Sequence, residues 1–169
     1  MKKLLALAVV ILGFTAVSFG QLTNTATATA SATIEAPLTI ENKGDMDFGK
    51  VYAASTSRDL ILSPSNARSG TAGFNATSTA AAAQFDVIGT PTTAYNITLP
   101  SAAVSTSTMP SGAIAMTVDT WTCNTVVTAG NTGSTGNQRI TVGATLHLGV
   151  AQKPGAYKTD PFTVIVNYN

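Results

Sequence analysis

The chain has 169 residues, of which only 10% are charged, compared with about 25% in an average soluble domain. Its formal net charge of +1 excludes the strongly basic surface of a nucleic-acid-binding protein. A single His and a single Cys leave few groups for metal or thiol chemistry, so we expect no enzyme and no cofactor. With 28 Thr and 26 Ala, the chain is best interpreted as a weakly charged structural β protein of one domain.

The N-terminus has the pattern of a secretory signal peptide. Lys2 and Lys3 precede an apolar stretch over residues 4–17, and the small residues Ser18 and Gly20 are spaced as a cleavage site. This stretch is short for a signal anchor that spans a bilayer. We therefore expect residues 1–20 to be removed. The mature protein would have no membrane span and would be exported to the cell surface, the periplasm or the extracellular space.

Strict alternation dominates the next segment. From Thr23 to Ile34, small apolar side chains occupy one face and Thr or Ser occupies the other, which predicts a long strand. Because such a face suits a narrow groove, we interpret residues 21–34 as an N-terminal strand or donor arm ahead of a β-sandwich domain over residues 35–169. The pattern leaves open whether the arm pairs within its own chain or with a neighbouring subunit. Its apolar face consists of Ala26, Ala28, Ala30, Ala32 and Ile34.

Further strand-like runs follow, separated by Gly, Pro, Asn and Ser, and no segment sustains a helical period. Residues 129–138 are polar and rich in glycine, which predicts a loop. Many short strands at this spacing favour an antiparallel sandwich or barrel. The predicted strands cover residues 38–41, 47–52, 59–62, 73–77, 83–88, 94–99, 113–122, 139–150 and 158–167.

Isolated reactive side chains give weak signals. Asp45 and Asp47 share a strand face but have no third carboxylate nearby in sequence, so they are best interpreted as solvated turn acids. His147 has no Ser, Asp or Cys pattern beside it, which predicts a surface-facing His on a strand. Cys123 has no internal disulfide partner and no neighbouring base, which predicts a buried, inert thiol; an intermolecular disulfide is the alternative.

Aromatic side chains are the candidates for a sugar-binding platform. Most of them alternate in phase with apolar neighbours, which favours packing over exposure. A soluble carbohydrate- or surface-binding module is therefore the main alternative to a structural role. These residues are Tyr52, Tyr95, Trp121, Tyr157 and Tyr168.

An ordered series of short motifs runs through the mature chain. It includes Ala36-Pro37-Leu38-Thr39-Ile40, Asp47-Phe48-Gly49, Tyr95-Asn96-Ile97-Thr98-Leu99-Pro100, and Pro154-Gly155-Ala156-Tyr157 ahead of an alternating run over residues 162–168. The series resembles a family of secreted bacterial domains of unknown function, for which no activity is established. The closing signature is also similar to that of fimbrial and spore-coat-type subunits, which are incomplete immunoglobulin-like sandwiches joined by donor strands.

The resemblance implies an antiparallel immunoglobulin-like β-sandwich that a donor strand completes. Its partners would be further copies in a homo-polymer, or related subunits, with a periplasmic chaperone as an additional partner. The function expected is a secreted, pilin-like structural subunit of a surface filament or envelope layer. Besides the arm, the resemblance implies that the last strand takes part in assembly through Phe162, Val164, Val166 and Tyr168.

Overall fold

The computed structural model describes residues 24–125 and 130–169. These residues contain strands and no helix, and every strand pair is antiparallel. The predicted all-β antiparallel sandwich is confirmed. The strands are β1 (Thr39–Gly44), β2 (Arg58–Leu62), β3 (Arg68–Gly70), β4 (Ala83–Ile88), β5 (Ala94–Thr98), β6 (Val104–Thr108), β7 (Thr117–Cys123), β8 (Gly130–Asn131), β9 (Asn137–Leu148), β10 (Lys158–Thr159) and β11 (Ile165–Tyr168).

The chain divides into two units, Met1–Thr33 and Ile34–Asn169. The predicted signal peptide over residues 1–20 lies outside the described residues. In the first unit, residues 24–33 are described; they form no strand and all are exposed. Of the long strand predicted over residues 23–34, residue 23 lies outside the described residues, and residues 24–34 form no strand. Alternation selects a face, but a strand also needs a neighbour to pair with.

The longest strand, β9, organises the second unit. Its even-numbered side chains from Ile140 to Leu148 point into the core, as period-2 alternation requires. One edge of β9 pairs with β7, whereas the other edge pairs first with β4 and then with β2. The change of partner occurs at Gly143, where a side chain would collide with the carbonyl oxygen of Leu62. Glycine is therefore required at this position.

Two sheets enclose the core unequally. The larger sheet has the strand order β1-β4-β9-β7-β6-β10, with β2 and β3 attached beside β9, and the smaller sheet has the order β11-β5-β8. The smaller sheet packs over the first half of β9, where Val87, Tyr95, Ile140 and Val142 are fully buried. We call this region the covered half. The second half of β9 packs against irregular segments instead.

A β-bulge in β7 keeps two large side chains on the inner face. Thr120 and Trp121 together lie opposite Ala144, since Asp119 pairs with Thr145 and Thr122 pairs with Gly143. Thr120 takes a left-handed conformation with φ of 51°. The extra residue resets the alternation, so Val118 and Trp121 both point inward although they are three residues apart.

Several predicted strands have different bounds or are not formed. Residues 47–52 and 73–77 make only isolated bridges, Asp47 with Ala81 and Val51 with Phe74. The predicted strand over residues 158–167 is split, because β10 joins the larger sheet and β11 joins the smaller one. The loop predicted over residues 129–138 contains β8, which pairs with β5. The sequence pattern also did not predict β3 and β6.

Candidate functional site

A groove of 860 Å³ lies over the second half of β9. Its floor is the inner face of the larger sheet. Its two walls are residues 42–53, which start in the last residues of β1, and residues 152–162, which contain the short strand β10; both are otherwise irregular. Here the smaller sheet has no strand among the described residues. The floor is apolar and formed mainly by Met116, Val118, Trp121, Leu146 and Leu148.

The first wall starts at the end of β1 and is supported by Arg68. Met46 and Phe48 pack towards the floor while Asp45 and Asp47 stay exposed, so the wall alternates like a strand. Arg68 braces it: its guanidinium donates to the carbonyl of Phe48 at 3.2 Å. The same guanidinium donates to the carbonyl of Ser78 at 2.8 Å and lies 4.4 Å from the ring centre of Phe74. Beyond β1, the wall is therefore held in place by this arginine and by the two isolated bridges, and not by a continuous strand ladder.

The second wall connects β9 to β11 and is fixed by aromatic contacts. The Tyr157 hydroxyl donates to the carbonyl of Lys153 at 2.8 Å and lies 3.2 Å from Oε1 of Gln152. Further along, the Phe162 ring lies 4.5 Å from that of Trp121 and 6.3 Å from that of Phe85. These contacts hold the wall in place at both ends of the groove.

Two buried hydrogen-bond donors line this groove without an acceptor. Nε1 of Trp121 and Nε2 of Gln152 have no hydrogen-bond partner among the described residues. Gln152 is only 7% exposed. Buried N–H groups are rarely left unpaired in folded proteins, because the lost hydration is not replaced. The residues that carry them line the groove, but the two nitrogen atoms themselves are enclosed by protein and are not open to it.

The four residues expected to act in assembly through the last strand fall into two groups. Val164, Val166 and Tyr168 pack in the covered half of the chain's own core. The Tyr168 hydroxyl accepts from the Thr90 amide at 2.8 Å and donates to the Ala36 carbonyl at 3.0 Å, which ties the chain end to the entry of β1. Of the four, Phe162 lines the groove.

The apolar face of the arm is fully presented to solvent. Each of its residues is exposed, and Ile34 is 95% exposed. Large apolar side chains this exposed are candidates for contact with another surface. The members of this face are Ala26, Ala28, Ala30, Ala32 and Ile34.

The five candidate sugar-binding aromatics lie in different parts of the fold. Tyr52, Trp121 and Tyr157 line the groove, with Tyr52 57% exposed. Tyr95 is fully buried, and burial raises its pKa to about 12. The Tyr168 hydroxyl is hydrogen-bonded to the main chain of Thr90 and Ala36. A platform of all five residues is therefore not formed, and three of them share one site.

His147 lies on the outer face of the larger sheet, behind the groove floor. It is surface-facing, as expected, and it has two acidic partners that lie far away in sequence. Its Nδ1 lies 2.7 Å from Oδ1 of Asp59 on β2, and its Nε2 lies 2.7 Å from Oδ1 of Asp119 on β7. The hydrogen bond to Asp119, followed by that to Asp59, raises the pKa of His147. Only strand register brings these residues together, so no local sequence signal marks them.

The remaining reactive groups do not converge. Within residues 24–125 and 130–169, no group of three or more His, Cys, Asp or Glu side chains could hold a metal ion. Asp45 and Asp47 accept hydrogen bonds from Asn42 and from the Gly49 amide, as turn acids do. Cys123 is half-buried rather than fully buried, because its side chain lies at the border of the covered half, and burial raises its pKa.

Comparison with known proteins gives a family but no function. The chain belongs to the family described as domain of unknown function DUF4402, whose model matches residues 38–168. No curated protein and no solved structure matches the chain. No helix in the described part of the chain is long and apolar enough to cross a membrane.

Proposed function

We propose that this member of the DUF4402 family is an exported, non-enzymatic subunit of a surface filament or envelope layer, assembled by donor-strand insertion. The N-terminal arm of one subunit would lie in the groove of the next. The partners are then further copies of this chain or related subunits, with a periplasmic chaperone occupying the groove before assembly.

The groove is the observation that carries this proposal. It lies where the sandwich has an apolar floor and two walls but lacks a strand among the described residues. An added extended segment would pack over the floor, where Leu146 and Leu148 are each 6% exposed, and would pair with main-chain groups of a wall, which is the usual mode of β-strand addition. A sandwich with such a gap gains stability from a partner that completes it.

The exposed arm supplies a matching segment. Residues 24–34 in extended form reach about 36 Å, which is longer than the second half of β9 that forms the groove floor. Their small side chains suit a site bounded on both sides by wall segments. The Thr and Ser residues on the opposite face would remain in contact with water, so insertion buries no charged group.

The experiment compares the mature chain with a variant lacking residues 21–32. We expect electron microscopy to show filaments or sheets of the mature chain and only monomers of the variant, with little change in monomer melting temperature. A large loss of monomer stability on truncation would mean that the arm belongs to the chain's own sandwich, and the proposal would be wrong.

Charge placement on the arm gives a matched control. Ala28→Asp with Ala30→Asp puts two charges on the apolar face and should abolish assembly, since they would enter an apolar groove unpaired. Thr27→Asp with Thr29→Asp puts the same charges on the opposite face and should leave assembly nearly intact. Equal effects of the two pairs would contradict insertion by the Ala face.

A soluble carbohydrate- or surface-binding module is the second candidate, supported by the aromatic residues in the groove. Tyr52 and Tyr157 could stack on sugar rings, and the Trp121 side chain lines the same groove. In this case the truncated variant would still bind an oligosaccharide, and Tyr52→Ala would weaken that binding. Glycan-array screening of the truncated monomer separates the two candidates.

A further inference from the structure

The first wall of the groove is paired along one edge, with residues 73–81. The main-chain groups of Asp47 exchange two hydrogen bonds of 2.8 Å with those of Ala81. The Lys50 carbonyl and the Tyr52 amide are bonded to main-chain groups of the same segment, each at 2.9 Å. Residues 73–81 do not line the groove although the wall itself does, so the paired edge is the one turned away from the groove.

The opposite edge of this wall carries four free main-chain groups. A trans peptide unit directs its C=O and its N–H to opposite sides. Because both main-chain groups of Asp47 point to the paired edge, the Met46 carbonyl and the Phe48 amide point to the groove side. The amide and the carbonyl of Val51 also point there, since the two peptide units that flank it are bonded to the paired edge through their other group. None of the four has a main-chain hydrogen-bond partner among the described residues, and we call them the free edge.

The second wall is less suited to pairing with a strand. Within it, β10 pairs with β6 through only two residues, with an irregular register. Pro154 and Pro161 have no N–H to donate, and the Lys153 carbonyl already accepts from the Tyr157 hydroxyl. Residues 42–53 contain no proline. Of the two walls, the first therefore offers the better edge to an incoming strand.

We infer that the arm of a second copy pairs through main-chain hydrogen bonds with the free edge of the first wall, and contacts the second wall through side chains alone. This inference rests on the proposed donor-strand function and assigns the edge that receives the strand. Arg68 and residues 73–81 already hold the wall in place, so little freedom is lost when the arm binds.

Residues 24–34 of the arm fit this edge in length and composition. From Met46 to Val51 the edge covers about 17 Å of extended chain, whereas the arm spans about 36 Å. The arm segment contains no proline, so each of its residues has an N–H to donate. In an extended chain, the N–H groups of alternate residues point to the same side. One set of alternate amides would therefore face the free edge, and the other set would face the second wall.

The first test follows amide hydrogen exchange by NMR in the dilute mature chain, with and without a saturating peptide of residues 21–34. The Phe48 and Val51 amides should exchange rapidly in the free chain and about 10-fold or more slowly with the peptide, because each gains an acceptor. The Tyr52 amide, which is bonded to Gly73 in the free chain, should exchange slowly without the peptide. Amides of residues 155–159 in the second wall should keep their rates.

The second test uses two N-methylated forms of the same peptide, labelled for fluorescence anisotropy. One form is methylated at the even-numbered residues from 26 to 32, and the other at the odd-numbered residues from 25 to 31, so each blocks one edge of the arm. The free edge has two carbonyl acceptors, so one form should bind about 10- to 100-fold more weakly, the effect of two lost hydrogen bonds. The other should bind within about threefold of the unmodified peptide. The chain itself is unchanged, so its folding does not affect the comparison.

The outcomes separate this inference from the proposed function. Failure of the chain to bind the unmodified peptide would overturn both. Tight binding with equal losses from the two methylated forms would overturn the inference alone, since the arm would then pair with both walls. Protection of the amides of residues 155–159 without protection of Phe48 and Val51 would also overturn it and leave donor-strand assembly standing.

Discussion

The two halves of β9 lie in different environments although they belong to one strand and one sheet. Over the covered half, Ile140 and Val142 are enclosed by the smaller sheet and fully buried. Over the groove half, Leu146 and Leu148 have similar chemistry but are covered only by the irregular walls. Under the proposed function, the covered half stabilises the monomer and the groove half receives the arm of another subunit.

The largest expected difference comes from truncating one side chain in each half. Ile140→Ala should destabilise the chain by about 2–5 kcal/mol, since it leaves an enclosed cavity. Leu146→Ala should cost less, because the space it vacates joins a groove that water can enter. Urea unfolding of the two variants measures both values. Equal losses would show that the groove half is packed as tightly as the covered half.

Saturation with a peptide of residues 21–34, the arm, should sharpen this comparison. A ligand that binds only the folded chain raises its stability, and Leu146→Ala removes apolar surface from the proposed binding site. The stability gained on adding the peptide should therefore be smaller for Leu146→Ala than for Ile140→Ala. A peptide that stabilises both variants equally would contradict binding over Leu146.

A pair of tyrosine hydroxyls provides the next test. Tyr168→Phe removes a group that joins Thr90 to Ala36 in the covered half, and should cost about 1–2 kcal/mol because a partly buried amide loses its acceptor. Tyr157→Phe removes a hydroxyl bonded to an exposed carbonyl of the second wall and should cost less. Denaturant midpoints of the two variants give the ranking, and a reversed order would count against the assigned roles of the halves.

The smallest effect is expected from pH, through the cluster behind the groove floor. Both His147 nitrogens can donate to Asp59 and Asp119 only when the ring is protonated. The pKa of His147 in the folded chain is raised above its ordinary value of about 6.5. Its contribution to folding stability is therefore fully present below about pH 6.5 and is lost as the pH rises through the folded-state pKa. The hydrogen bond with His147 lowers the pKa of Asp119, so the stabilisation from this hydrogen bond is lost when acid protonates the carboxylate.

Thermal melting across pH checks this expectation. The melting temperature should be highest in mildly acidic buffer and fall modestly towards alkaline pH, whereas His147→Gln should show a flatter alkaline limb. The effect should be modest because the three side chains are more than a third exposed and solvent screens them. An alkaline limb with the same slope in His147→Gln would assign the pH dependence to other groups.

Strand prediction succeeded where alternation and β-branched or aromatic residues coincide. The predicted strand over residues 83–88 matches β4, and the strand predicted over residues 94–99 is one residue longer than β5. By contrast, β6 contains one apolar residue and its inward-facing Thr106 is polar, so it gives no periodic signal. The strand predicted over residues 158–167 failed as one element because its two parts pair in different sheets.

Site prediction was limited in the same way. The alternating arm and the candidates Trp121, Tyr52 and Tyr157 were identifiable from residue type and spacing. Gln152 was not, because a single Gln after a strand carries no pattern, and its burial beside the groove follows only from the fold. Asp59 and Asp119 were not linked to His147 because they are 88 and 28 residues away in sequence.

The sequence by itself determined the all-β class, the weak charge, and which side chains share a face, since these depend on composition and on a two-residue period. Only the tertiary structure decided how β9 divides its partners, which half of the core the smaller sheet covers, and which residues line the groove. Those features depend on strand register and on contacts between residues far apart in sequence. A periodic pattern contains no information about which strand lies beside which.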